Sequence, residues 1–159
     1  MGSHGITSSV IGIIVLLLCS AFFSATETAF TSLNRIRIKN KADAGNPSAK
    51  RVLALEQNYD NLLSTILVGN NLVNIASTAV ATVLFMNLYG QYGATISTIV
   101  TTLTVLIFGE ITPKNVASKN AENMALAYIG VISVIVTVMT PVIFIVNKVA
   151  GAVISIFIY

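Results

Sequence analysis

The sequence predicts an all-α membrane protein, on three observations. Of 159 residues, 55% are hydrophobic and only 9% charged, with a mean hydropathy of +0.84. A soluble domain carries about 25% charged residues, so a solvated surface cannot be covered here. Residues 61–109 contain no Asp, Glu, Lys, Arg or His at all. Several apolar runs also approach or reach the roughly 20 residues that cross a hydrocarbon core at about 1.5 Å per residue. A membrane barrel would need alternating segments of about 10 residues in a closed ring, whereas these runs are continuous and few.

The elements follow in order. The opening "MGSH" reads as an expression remnant (residues 1–4), which sets His4 aside and leaves residues 5–159 as a single transmembrane domain. The first apolar segment covers residues 8–26 and holds the single cysteine, Cys19, which reads as an apolar helix residue. A basic connection follows, with Arg35, Arg37, Lys39, Lys41, Lys50 and Arg51. Its "DAGNPSAK" is a strong turn signal, predicting two short helices, the second being "SAKRVLALEQNYDNLL". The second apolar segment is residues 62–86. The third is 94–109, extendable past Pro113.

The last region is ambiguous from periodicity. An apolar stretch over residues 124–146 is interrupted by Pro141 and resumes over 149–159. It reads as a broken span, two short re-entrant or interfacial helices, or one crossing followed by a fragment. The cations set the orientation. None precedes Arg35 or lies in "NLYGQYG", and Lys114 and Lys119 follow the third segment. The positive-inside rule then predicts an external N-terminus and a cytoplasmic stretch over 34–60, with Tyr89 and Tyr92 at the outer interface. The six clustered cations read as topogenic charge ahead of a lipid-binding patch.

Polar groups inside the segments are the functional candidates, because they are costly in hydrocarbon. Ser20, Ser24, Glu27 and Thr28 fall on one helix face, and so do Asn70 and Asn74, while Asn71 points elsewhere. In "FGEITPKN", Pro113 lacks an N–H and clashes with the carbonyl four residues back. It is therefore expected to free the Gly109 carbonyl in an unwound turn beside Glu110. Counted at about 1.5 Å per residue, Ser24, Asn70 and Glu110 reach depths within about 10 Å of one another.

The donor set is hydroxyl, amide carbonyl, carboxylate and backbone carbonyl. These are hard oxygens, which disfavour zinc and copper and leave Mg2+, Ca2+ and Na+ open. Blander readings compete: serines bonded to their own i−4 carbonyls, asparagines bonding neighbouring helices, and Glu110 paired with Lys114 at a membrane boundary. Glu27 reads as a structural pair or an outer-shell carboxylate. Thr-rich "TIVTTLTV" reads as helix packing.

At these residues the sequence resembles the transmembrane domain of the CorC/CNNM (cyclin-M-like) magnesium transporters. The matching pieces are "CSAFFSATETA", "LVGNNLVN" and "FGEITPKNVASKNA", in the family's order, with similarity over about residues 10–158. The resemblance implies a homodimer with three transmembrane helices, cytoplasmic short helices and a belt-like juxtamembrane segment after residue 124. It implies Mg2+ export from the cytoplasm, with exchange for Na+ proposed in the family.

Its ligands for a largely dehydrated Mg2+ would be sought at Ser20, Ser24, Asn70, Asn74 and Glu110, the Gly109 carbonyl being a local inference from Pro113. The family's cytoplasmic nucleotide-binding CBS pair and C-terminal domain have no counterpart here, which reads as an excised membrane domain. The expectation is therefore a Mg2+ transporter of the plasma (inner) membrane, working by alternating access. The alternatives are a Mg2+-sensing anchor and dimerisation module, and a Na+ or Ca2+ site. An enzyme is not expected, because the segments offer no nucleophile and base pair.

Overall fold

The computed structural model describes residues 2–158. Met1 of the opening remnant and Tyr159 at the end of the last apolar stretch lie outside the described residues. Every element among the described residues is helical: α1 (Ser3–Thr31), α2 (Arg35–Asp43), α3 (Pro47–Glu56) and α4 (Tyr59–Tyr89) come first. A 3-10 turn (Gly90–Tyr92) leads to α5 (Gly93–Thr104), a π-helical segment (Val105–Ile111), α6 (Thr112–Lys119) and α7 (Ala121–Ile158).

By length and hydropathy three stretches can cross a membrane: Ser3–Thr31, Tyr59–Lys119 and Ala121–Ile158. The middle one is folded in two, because Gly90 takes φ +60° and turns the chain back. The first, second and third apolar segments thus become α1, α4 and the run from α5 through α6. The chain is an all-α membrane protein, as its composition required.

Small residues bring these helices close. A Cβ on Gly69 of α4 would lie 2.6 Å from the Phe23 ring of α1, so only glycine admits that ring. Without a hydrophobic force between helices in lipid, such close packing is what holds them. Around it Phe23, Ala25, Ala29, Phe30, Leu62 and Ile66 form a buried cluster.

The basic connection is a helical hairpin, as "DAGNPSAK" predicted. The Asn34 and Asn46 side chains accept hydrogen bonds from the Arg37 and Ala49 backbone N–H groups, capping α2 and α3. Gly45 turns the chain at φ +97°. One boundary differs from expectation. α3 stops at Glu56, the backbone leaves helical geometry at Asn58 (φ −118°, ψ 59°), and residues 59–63 belong to α4. The break falls within the polar run Glu56–Asn61, which carries no glycine or proline to mark it. Glu122 pins the hairpin to α7 through Arg37 (3.3 Å) and Lys41 (3.2 Å).

α7 resolves the region that periodicity left open. It is one helix with Pro141 inside it; apolar helices tolerate proline where neighbouring groups take up the freed carbonyl. Its first half packs through Ala125, Ile129, Ile132 and Val136. Residues 144–158 are exposed throughout.

Candidate metal centre between the spans

Of the polar residues singled out by helical spacing, the structure joins Ser20 to Asn70 and Asn74 to Glu110. Ser20 and Ser24 of α1 are 1% and 0% exposed. The Ser20 hydroxyl donates to Asn70 Oδ1 of α4 at 3.1 Å. Asn74, one turn further along α4, donates through Nδ2 to Glu110 Oε1 at 3.5 Å, a long bond. Gly109 is buried against Ser20: a Cβ there would stand 2.9 Å from Ser20 Oγ. The glycine is thus what lets the third segment's backbone reach α1. Asn71 is exposed and takes no part, as its position on the helix indicated.

Helix register ties the groups together. The Phe23 ring meets Gly69, and Leu17 lines one small cavity with Ser77 and Ala81. The Phe23–Gly69 contact and the Ser20–Asn70 hydrogen bond together set this stretch of α1 against residues 69–70 of α4. Two oxygens in this group are buried with no hydrogen-bond partner, Ser24 Oγ and Asn74 Oδ1. Buried polar atoms are nearly always paired, because an orphan costs its full desolvation. Both orphans belong to the predicted donor set.

The predicted unwound turn at Pro113 is instead a π-helix. The Thr112 N–H bonds the Ile107 carbonyl, five residues back, so the chain widens by one residue rather than opening. A widened turn lets Pro113 enter α6 near its first position, where its missing N–H is harmless. Single π-turns often sit at functional sites. This one places Gly109 and Glu110 against α1 and α4.

The competing pairing of Glu110 with Lys114 is not the one adopted. Lys114 Nζ lies 3.2 Å from Glu27 Oε2. Glu27 therefore has a structural partner, and the Glu110 carboxylate keeps an amide. Spacing offered Lys114 an i,i+4 partner only as a competing reading, and gave Glu27 a structural pair without naming Lys114. It also missed a cavity of about 230 Å3 beyond Asn74, lined by Thr78, Thr98, Thr101 and Thr102. The helical spacing of Thr98, Thr101 and Thr102 along α5 was its signal. Among the described residues, no group of three or more His, Cys, Asp or Glu could hold a metal. The site's chemistry is one carboxylate among neutral hard oxygens.

The sequence matches the family described as "Cyclin M transmembrane N-terminal domain" over residues 11–158. It is similar to a "UPF0053 protein" of Haemophilus influenzae, 38% identical over 92% of this chain and 35% of the relative. The "UPF0053 inner membrane protein YfjD" of Escherichia coli is 41% identical over 82% of this chain and 30% of the relative. A "Polyamine export protein" of Escherichia coli is 28% identical over 94% of this chain and 36% of the relative. The chain spans about a third of the length of these relatives.

Proposed function

The chain belongs to the cyclin M transmembrane domain family, and from that premise we propose that it carries Mg2+ out of the cytoplasm through the centre between α1, α4 and the π-helix. The observation that carries this reading is the pair of orphaned buried oxygens, Ser24 Oγ and Asn74 Oδ1, the second on the residue whose amide bonds the Glu110 carboxylate. Mg2+ demands hard oxygens in near-octahedral geometry and gives up water reluctantly. Ser20, Ser24, Asn70, Asn74, Glu110 and the Gly109 carbonyl would supply such oxygens. The ion would replace the hydrogen bonds from Ser20 to Asn70 and from Asn74 to Glu110.

One carboxylate against a divalent ion leaves net positive charge, so the ion is held without being trapped. Transport by alternating access, with Na+ entering as the ion leaves, completes the proposal. The site would open first toward the basic α2 and α3 hairpin, which the charge distribution assigns to the cytoplasm, with the N-terminus outside. We read the protein as a homodimer of the inner membrane, where its relative YfjD is named as residing. Longer relatives would add cytoplasmic regulatory domains. No covalent bond changes in this cycle, so the protein is a carrier and not an enzyme.

Similarity to a polyamine export protein favours a second reading, an extended organic polycation as cargo. Such a molecule calls for carboxylates or aromatic faces spaced along a groove. The compact oxygen cluster supports the metal instead. Mg2+ flux into liposomes bearing the purified domain tests the proposal: flux lost in Glu110→Ala, with the fold intact, is expected. Flux of spermidine without Mg2+ would replace it by the second reading, and Mg2+ binding without flux by the Mg2+-sensing anchor.

A further inference from the structure

Glu27 and Lys114 lie on the hairpin side of the centre, each one turn beyond a candidate ligand. Glu27 follows Ser24 by three residues on the same face of α1, and Lys114 follows Glu110 by four. Their charged atoms are 3.2 Å apart, and their side chains are 42% and 40% exposed. An ion entering from the hairpin end along α1 and α6 would meet this pair before Glu110. We propose that the pair is a cation-exchange gate, in which Glu27 releases Lys114 and takes the incoming divalent ion before it reaches Glu110. This rests on the Mg2+ reading above.

The charges argue for exchange over a passive strut. A bare ammonium one turn from the site would repel a divalent cation, and Glu27 cancels that repulsion at rest. An arriving divalent ion offers the carboxylate twice the charge of lysine. Neither side chain is enclosed by packing within the chain, so the ammonium has room to leave the carboxylate. The four-carbon stem of Lys114 gives the ammonium reach to swing aside. The ion would cross this point hydrated, losing water only among the buried oxygens beyond.

A gate and a strut differ in sign. Mg2+ association with the full chain, followed by stopped flow against a fluorescent Mg2+ indicator at low ionic strength, separates them. Lys114→Gln frees Glu27 and is expected to speed association about three- to tenfold. Glu27→Gln bares Lys114 and is expected to slow it by a similar factor, both effects shrinking in high salt. Lys114→Arg, which keeps the charge and the pair, is expected to stay near the native rate. Rates that move the same way in both glutamine variants, or do not move, would overturn the gate while leaving the Mg2+ site standing. Absence of saturable Mg2+ binding by the native chain would remove both.

Discussion

Single residues decide whether this centre is a site or a packing accident. Gly109 is the glycine that touches a candidate ligand, since a Cβ would stand 2.9 Å from Ser20 Oγ. Gly109→Ala is therefore expected to displace Ser20 and weaken Mg2+ binding about tenfold or more, equivalent to about 1.4 kcal/mol, as measured by calorimetry. Gly69→Ala perturbs the α1–α4 contact next to Asn70 and Ser24 without altering a ligand itself. Its Cβ would overlap the Phe23 ring at 2.6 Å, an overpacking expected to cost about 1–3 kcal/mol. A lowered thermal midpoint is the outcome to look for. At this scale the sequence was informative where residues share a helix face. Ser20, Ser24, Asn70 and Asn74 follow from i,i+4 spacing on two helices, and the structure brings both faces together. The partner of Lys114 did not follow, because an ion pair between helices depends on packing that spacing does not encode.

Among the elements, the π-helix over Val105–Ile111 carries the most consequence. One extra residue in a turn rotates what lies on either side by about 100°, one residue's worth of α-helix. Pro113→Ala restores an N–H and removes the reason to widen. It is expected to turn Glu110 away from Asn74, lowering Mg2+ affinity while leaving or raising the thermal midpoint. A loss of affinity with a matching loss of fold would point to proline as a structural stop only. The sequence showed that Pro113 disturbs the helix but not that widening is cheaper than unwinding in an apolar setting, where every backbone group must find a partner. The hairpin was more legible, because Gly45 and the two asparagine caps act locally. Asn46→Ala is expected to cost about 1 kcal/mol of stability through the lost α3 cap, checked by thermal unfolding. α7 was illegible for the opposite reason: Pro141 signals a break, and continuity through it depends on neighbours.

For the molecule as a whole, the distribution of charge and apolar surface explains why the fold belongs in a bilayer. Leu67, Leu72, Ile75, Leu103, Phe108 and Phe144 are among many large apolar side chains left exposed. The ion pairs of Arg35, Arg37 and Lys41 gather around the α2 and α3 hairpin. Composition sufficed for this much. What it could not supply was the cargo, since hard oxygens suit several cations and the choice rests on how many oxygens converge and how closely. The decisive measurement is a calorimetric titration of the folded domain with Mg2+, run beside Glu110→Ala and repeated in the presence of spermidine. Saturable Mg2+ binding that vanishes in Glu110→Ala and resists spermidine is expected from the proposed centre. Equal binding in native and variant chains, or a site that spermidine fills in place of Mg2+, would contradict it.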